Sequence, residues 1–208
     1  MNAQYFDSIT LTTPLDEIYR RLGYRRTVTK LSVEQKKKVE RYIADALSLI
    51  SLKGVAKRVA VASVSSSQVQ LSSGLVFRSQ RLAEFLQECD EILLMGATAG
   101  REIVEAIQAN SAGDNIACAV VLDAVASEIV DKALDWIMAY FNRDLRRASR
   151  CLTRRRYSAG YGDFLLENQQ IICKTLGMKK MGVVVNERHI LVPEKSVTAI
   201  AGIGPISK

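Results

Sequence analysis

Apolar positions along this 208-residue chain follow two periods, and the change between them predicts where helices and strands lie. Spacings of three and four residues mark the helical stretches, which are 32–50, 79–88, 117–141 and 165–176. Near-alternation or a short apolar run marks the strands. These are a small antiparallel sheet within 57–77, a strand at 91–95, a hairpin at 181–192 and a last strand at 197–203. No regular strand–helix–strand repeat occurs. The pattern therefore predicts an α+β fold, a twisted antiparallel sheet with flanking helices.

Helix starts are predicted from residues whose side chains can cap the exposed N–H groups of a first turn. Ser32 opens a capping-box pattern, and Thr13 followed by Pro14 is a second start signal. Asp114 and Asp163 are predicted to cap the helices that come directly after them. Each of these helices would then begin at a defined residue.

The most apolar helix, 117–141, contains many small residues and is predicted to be central and closely packed. Asp123, Glu128 and Asp131 interrupt its apolar surface. We expect these three carboxylates to face solvent, with a ligand contact by one of them as the alternative.

Composition suits one large domain or two small ones with a sizeable core, because 48% of the residues are hydrophobic. The N-terminus lacks a basic flank and an apolar segment, and no apolar run is long enough to span a membrane. The four cysteines are widely spaced and form no CxxC pair. Reduced, structural thiols in a cytoplasmic protein are therefore expected.

Candidate catalytic chemistry is sparse. The chain has one histidine, His189, which argues against a His-rich metal site and against a Ser-His-Asp triad. Gly96 and Gly100 follow the apolar run at 91–95, but their spacing matches neither phosphate-binding fingerprint. A tight turn packed against a neighbour is therefore preferred to a nucleotide site. We predict no catalytic side chain and no metal ligand.

The net charge of +7 is concentrated in the segment Arg143–Arg156, which holds seven arginines against one aspartate. A solvated helix face is one interpretation. The others are a surface for anions or nucleic acid, and a docking patch for an acidic partner protein. The aromatic residues are not interleaved with these arginines and no recognition motif is present, which disfavours nucleic acid.

The stretch 156–163, Arg-Tyr-Ser-Ala-Gly-Tyr-Gly-Asp, is the best candidate for a ligand loop. Arg156 offers paired donors to a carboxylate, Gly160 allows close backbone approach, and Tyr161 offers a ring face and a hydroxyl. A glycine-rich connector with a surface arginine is the alternative.

Two motifs in this region resemble a known family. Arg156-x-x-x-Gly160-Tyr161 matches the RxxxGY motif of the S-adenosylmethionine-binding activation domain of cobalamin-dependent methionine synthase. A helix and a hairpin follow, and then Pro193-x-x-Ser196-Val-Thr, which is similar to the family's Pro-x-x-Ser-Val segment. The resemblance is good over 115–204 and weak before about residue 110. It implies a single activation-domain-like domain over 1–208, similar to the free-standing members of the family.

The resemblance implies reductive reactivation of a corrinoid protein. The chain would bind S-adenosylmethionine and present its methyl group to cob(I)alamin, acting as the activation component of a methyltransferase. Binding would involve Arg156 at the methionyl carboxylate, Ser158 and Gly160 through their backbone, and Tyr161 through its ring or hydroxyl. Pro193 and Ser196 would wall the same groove.

Partners follow from the same resemblance. Cobalamin would be carried by a methionine synthase or another corrinoid protein, since this chain lacks the family's DxHxxG cobalamin motif. A flavodoxin- or ferredoxin-like protein would supply the electron. Arg146, Arg147 and Arg150 are predicted to dock an acidic partner.

Departures from the family pattern keep other functions open. Gly162-Asp163 stands where the large enzyme has a Pro/Cys-containing turn, and Ala199-Ile200-Ala201 stands where it has aromatic residues. A non-catalytic ligand-binding or scaffold module of the same fold is therefore the first alternative. A nucleic-acid-binding protein that uses Arg143–Arg156 is the second.

Overall fold

The computed structural model describes residues 2–25 and 27–206. Its α-helices are α1 Leu15–Arg21, α2 Val33–Leu49, α3 Gln80–Phe85, α4 Glu102–Ala112, α5 Ile116–Arg147 and α6 Asn168–Leu176. Its strands are β1 Gln4–Phe6, β2 Lys53–Val64, β3 Gln68–Leu71, β4 Val76–Arg78, β5 Glu91–Thr98, β6 Arg150–Leu152, β7 Val184–Val185, β8 Leu191–Val192 and β9 Ser196–Pro205. The α+β class predicted from the sequence is confirmed.

One antiparallel sheet organises the molecule. Its strand order is β4-β3-β2-β5-β9-β6, and β1 pairs with the other end of β2. The strands β7 and β8 form a separate hairpin, as the sequence predicts. The long β5 and β9 pair along eight residues each, so the C-terminal strand lies beside the centre of the sheet. This register places the segment before β9 next to the end of β5.

The sheet is buried on both faces, because alternate residues of its central strands point to opposite sides. Leu93 and Met95 of β5 pack into one core with α2, α4 and α5. Ile92 and Leu94 pack into a second core with α3 and α6. A strand covered on both sides reads as a continuous apolar run, which is the pattern that 91–95 shows in the sequence.

The helix α5 has 32 residues and is the longest of the described helices. The sequence predicted its end at residue 141, but the helix continues to Arg147. Arginine favours helix, and the positive charges of Arg146 and Arg147 interact favourably with the carbonyl end of the helix dipole. In residues 2–25 and 27–206, no helix combines the length and the apolarity that a membrane crossing needs.

The predicted helix caps have different outcomes. At Ser32 the capping box is confirmed: the Gln35 N–H donates to Ser32 Oγ (3.1 Å) and the Ser32 N–H donates to Gln35 Oε1 (2.8 Å). Pro14 is the residue before α1 and no side chain caps that helix, so the Thr13 prediction is wrong. The Asp114 prediction is also wrong, since Asn115 precedes α5 and no side-chain cap forms.

Candidate functional site

The ligand loop predicted from the sequence lies along one edge of β9. Residues 153–164, here called the Arg156 loop, are hydrogen-bonded to that strand. The Tyr157 N–H donates to the Ile200 carbonyl (2.8 Å), and the Ile200 N–H donates to the Tyr157 carbonyl (2.7 Å). The Thr153 N–H donates to the Gly202 carbonyl (2.9 Å). The loop therefore lies along β9 where an edge strand would lie, but only isolated residues of the loop pair with β9.

The strand edge continues beyond the loop at Thr198. Backbone groups in a strand alternate between its two sides, so the N–H and C=O of Thr198 point to the same side as those of Ile200. In the described part of the chain, strand pairing on this side covers 203–205 through β6 and Ile200 through Tyr157. The next donor and acceptor on this side of β9 are those of Thr198, a residue that is only 2% exposed and whose hydroxyl donates to Gln169 Oε1 (2.9 Å).

The Arg156 side chain turns from the loop to α5 and is 21% exposed. Its Nη2 lies 2.6 Å from Asp131 Oδ1, and its Nη1 pairs with Asp135. Burial lowers the pKa of the Arg156 guanidinium, but the hydrogen bonds and charges of Asp131 and Asp135 outweigh burial and raise this pKa above its ordinary value. The guanidinium is thus held between two carboxylates.

A second cation is held by the same side of α5. Lys195 Nζ lies 2.6 Å from Asp123 Oδ1 and donates to Ser127 Oγ (3.0 Å). Asp123, Ser127, Asp131 and Asp135 are four residues apart and so form one line on the helix, here called the α5 polar stripe. The stripe fixes Arg156 in the loop and Lys195 between Pro193 and Ser196. It therefore brings the two sequence motifs to one side of one helix.

The expectation that these carboxylates of α5 face solvent holds for Asp131, whose side chain is 55% exposed, and in part for Asp123, at 47%, but not for Glu128, at 15%. The sequence did not predict that each of them is also ion-paired. Asp123 pairs with Lys195, and Asp131 pairs with Arg156. Glu128 pairs with Arg21 of α1 at 2.5 Å. The sequence shows the acids but not their partners, which are far away in the chain.

Gly160 and Tyr161 form a tight turn in the Arg156 loop. Gly160 has a φ of +91°, which favours glycine, and its N–H donates to the Phe164 carbonyl (2.7 Å). The Tyr161 N–H donates to the Ser158 carbonyl (3.3 Å). The Tyr161 side chain is 69% exposed. This tight turn leaves the Tyr161 ring at the surface, where a ligand can contact it.

The Gly162-Asp163 departure from the family pattern has a local cause. Gly162 has a φ of +58°, and a Cβ on it would lie 2.8 Å from the Tyr157 hydroxyl oxygen. Asp163 accepts a hydrogen bond from the Ser79 hydroxyl (2.6 Å) and one from the Gln80 N–H (2.6 Å). Asp163 therefore caps α3, and the prediction that it caps the following helix is wrong. The loop is anchored to α3 as well as to α5.

Pro193 and Ser196 border the start of β9. The Val192–Pro193 peptide bond is cis. The Ser196 hydroxyl donates to Thr98 Oγ1 (2.8 Å), which also accepts from the Gly100 N–H (3.1 Å). The Ser196 hydroxyl thus joins β9 to the turn after β5. A wall role for Ser196 would rest on its backbone and packing.

The three arginines predicted to dock a partner lie in two environments. Arg146 and Arg147 are exposed in the last turn of α5. Arg150 pairs with Asp90 and with Glu91 (2.8 Å), and its side chain is 21% exposed. Arg150 therefore belongs to an ion network between β5 and β6 rather than to a free surface.

Two features of the described residues bear on metal and thiol chemistry, namely their acidic, histidine and cysteine side chains and the buried Cys173. Within the two described ranges, no group of three or more His, Cys, Asp or Glu side chains could hold a metal ion. Burial raises the pKa of the Cys173 thiol to about 12, so this cysteine is uncharged and unreactive at neutral pH.

Sequence reasoning missed Asp135 and Lys195. The signal was available in part: acids at 123, 131 and 135 share one helix face with Ser127. A polar stripe on an otherwise apolar helix indicates a fixed partner. The identity of the partners depends on tertiary contacts.

Comparison with known proteins agrees with this architecture. No protein-family model and no curated protein matches the chain. Among solved structures, the chain is similar to one described as the crystal structure of the MetH reactivation domain bound to AdoHcy, with a TM-score of 0.68 and 14% sequence identity. The similarity covers all of this chain and 80% of that chain.

The class is thus an α+β domain with a curled antiparallel sheet between helices. Its fold is that of the MetH reactivation domain, which confirms the resemblance seen in the sequence at the level of fold. The structural match also includes the N-terminal part of the chain, where the sequence resemblance is weak.

The Asp163 cap predicts a pH dependence of stability. The hydrogen bonds from the Ser79 hydroxyl and the Gln80 N–H lower the pKa of Asp163 below its ordinary value of 3.8. Its contribution to stability is therefore present above pH 3.8 and is lost as the pH falls through the lower folded-state pKa. We expect Asp163→Asn to be less stable than the parent at neutral pH. The difference in their free energies of unfolding should narrow as the pH falls below 3.8.

Urea denaturation midpoints of the two proteins across this pH range measure the effect. Asp144→Asn, at the exposed end of α5, is the matched control. A difference between Asp163→Asn and the parent that stays constant from neutral to strongly acid pH would contradict the capping role.

Proposed function

We propose that this protein binds S-adenosylmethionine beside the β9 edge and presents its methyl group to cob(I)alamin carried by a corrinoid protein. The observation that supports this best is the meeting of the Arg156 loop and the Pro193–Ser196 segment on one α5 stripe. The fold adds support, because the similar MetH reactivation domain binds AdoHcy, the product that S-adenosylmethionine leaves after methyl transfer.

The charges around Arg156 suit the amino-acid end of this ligand. That end carries a carboxylate and an ammonium group, and the ligand also has a sulfonium cation. Arg156 with Asp131 and Asp135 forms a cluster with one positive and two negative charges. The guanidinium would take the carboxylate, and one aspartate would turn to the ammonium group. The ligand would thus exchange ion pairs rather than bury an unpaired charge.

The loop backbone and the strand edge would hold the rest of the ligand. Ser158 and Gly160 lie where the backbone can approach closely, and the exposed Tyr161 ring can cover one ligand face. Thr198 is buried, so its backbone donor and acceptor on the β9 edge would become available to the ligand only if neighbouring side chains move. Pro193 and Ser196 would limit the far end of the site.

The reaction needs positioning more than acid or base catalysis. One electron from a flavodoxin- or ferredoxin-like donor reduces cob(II)alamin to cob(I)alamin. The cobalt then attacks the methyl carbon, the Co–C bond forms, and the S–CH3 bond breaks with its electron pair left on sulfur. The products are methylcobalamin and S-adenosylhomocysteine. The protein contributes by holding the sulfonium methyl in line with cobalt.

A non-catalytic module of the same fold is the second candidate. The specific observation in its favour is that Arg156 is already paired with two carboxylates, and that the Ser196 hydroxyl is engaged by Thr98. These contacts could serve stability alone. The two candidates differ in whether S-adenosylmethionine binds.

Titration calorimetry of S-adenosylmethionine tests the site. Arg156→Ala removes the charge-assisted hydrogen bonds to the carboxylate, which are worth about 1.5–3 kcal/mol, so we expect the Kd to rise about tenfold or more. Arg156→Lys should restore part of the affinity, because a lysine keeps the charge but lacks the paired donors.

The control is Arg155→Ala, which removes the neighbouring exposed arginine and should leave the Kd unchanged. Circular dichroism verifies that each variant is folded. A parent protein that binds no S-adenosylmethionine would favour the non-catalytic module. Equal Kd values for the parent and Arg156→Ala would remove Arg156 from the site.

An acidic partner would dock near the end of α5. Arg146 lines a cavity of about 990 Å³ together with Arg154, at the junction of α3, α5 and β6. Arg147 lies beside it, with its side chain 85% exposed. This surface is close to the Arg156 loop through residues 153–156, so a partner bound there would be near the proposed methyl donor.

Charge reversal tests this docking surface. Arg146→Glu with Arg147→Glu should slow association with the corrinoid protein or the electron donor, and the slowing should diminish as salt is added. Lys174→Glu with Lys179→Glu, on exposed positions around the end of α6, is the matched control. Unchanged association rates in the arginine variant at low salt would show that these arginines do not steer the partner.

A further inference from the structure

A second basic segment spans residues 20–41. Nine of its residues are Lys or Arg and two are Glu, so its net charge equals that of the whole chain, +7. It includes the end of α1, residues 22–32 between α1 and α2 (here called the connector) and the first half of α2. The chain therefore has two basic regions, and the rest of the sequence is acidic.

A cavity of about 660 Å³ lies between α1, the connector and α2. Leu15, Tyr19, Tyr24 and Leu31 form its apolar and aromatic lining, and Arg20 and Lys36 add positive charge. The rings of Tyr19 and Tyr24 pack against each other with centroids 5.4 Å apart. We call this cavity and its rim the α1–α2 surface.

Several aliphatic side chains in this part of the chain are exposed: Leu15 and Leu31 line the cavity, Val28 lies between α1 and α2, and Val33 is the first residue of α2. The exposed fractions are 49% for Leu15, 72% for Val28, 37% for Leu31 and 71% for Val33. Exposed apolar residues gathered around a cavity mark an interaction site more often than single ones do. Three of these residues, Val28, Leu31 and Val33, lie within the basic segment 20–41.

The cavity wall formed by α1 is held in place before any partner binds. Arg21 pairs with Glu128 of α5, and Glu17 pairs with Lys132 of α5 at 3.3 Å. Both pairs tie α1 to the longest helix of the core. A preformed surface loses less entropy on binding, which favours affinity.

We propose that the α1–α2 surface docks an acidic amphipathic helix of a partner protein. Apolar side chains of that helix would enter the cavity and contact Tyr19, Tyr24 and Leu31, in the manner of a helix lying in a groove. Its carboxylates would face Arg20 and Lys36. Among the residues that the structure describes, the cavity shares no lining residue with the Arg156 loop, and the proposal does not depend on the function proposed there.

Nucleic acid fits the α1–α2 surface less well. Asp16 and Glu40 also line the cavity, and Lys36 pairs with Glu40 at 3.8 Å. A backbone with a phosphate at every nucleotide would bring charge close to both acids, whereas an amphipathic helix can direct its carboxylates to Arg20 and Lys36 and away from Asp16 and Glu40. The aliphatic rim offers no hydrogen bond to bases or backbone. The two tyrosine rings pack on each other rather than standing as separate platforms for stacked bases.

Two labelled peptides of identical composition test the proposal by fluorescence anisotropy with the full chain. One places Leu at helical spacing and Glu elsewhere over about four turns, and the other has the same residues in permuted order. We expect the patterned peptide to bind at least about tenfold more tightly than the permuted one, because only its apolar face enters the cavity. Its binding should weaken as salt is added.

Variants locate the binding. Tyr24→Ser and Leu31→Ser, made separately and together, should weaken binding of the patterned peptide about tenfold, and Arg20→Glu with Lys36→Glu should also abolish its salt dependence. Lys174→Glu with Lys179→Glu should leave binding unchanged.

Equal binding of the two peptides, or no binding of either, would overturn the proposal. So would patterned-peptide binding that neither set of variants affects. The proposal would also be overturned, in favour of nucleic acid, if an oligothymidine as long as the peptides bound more tightly than the patterned peptide and if Tyr24→Ser abolished that binding.

Discussion

The polar stripe on α5 is the constraint on which the candidate site depends. Burial of the opposite side of α5 against the sheet fixes the helix, and the stripe then faces the start of β9 and the Arg156 loop. Individual ion pairs at partly exposed positions contribute only about 0–1 kcal/mol each to stability. Their importance here is positional: Asp123 and Ser127 hold Lys195, while Asp131 and Asp135 hold Arg156. Two segments about forty residues apart in the chain thereby meet at one strand edge.

Much of the fold could be predicted from the sequence, because its signals are local. The apolar run at 91–95, the Ser32 capping box and the hairpin before β9 depend on residues close together in the chain, and all three are present. The end of α5 and the partner of Asp163 could not be predicted in this way. By its position in the sequence, Asp163 is a candidate cap for the next helix. In the structure its carboxylate instead accepts hydrogen bonds from Ser79 and Gln80 at the start of α3, which lies nearby in space.

The candidate site was predictable as a set of residues but not as an arrangement. Arg156, Gly160 and Tyr161 stand out by type and spacing, and the structure brings them beside β9. The two aspartates on Arg156 were not foreseen as its partners, since the pairing depends on how α5 lies against the loop. Their presence alters the expected chemistry, because a ligand carboxylate must compete with an existing ion pair. At 14% identity the solved structure supports only the fold. The proposal that the ligand is S-adenosylmethionine depends on the local contacts of Arg156 and its neighbours.

Methyl transfer to cobalt tests the central claim most directly. The chain would be mixed with a corrinoid protein that has no reactivation domain of its own and holds cob(II)alamin, a one-electron reductant and S-adenosylmethionine labelled in its methyl group. The proposed function predicts labelled methylcobalamin, formed faster with this chain than without it and in proportion to the corrinoid protein. Label appearing in cobalamin at the same rate with and without the chain would contradict it.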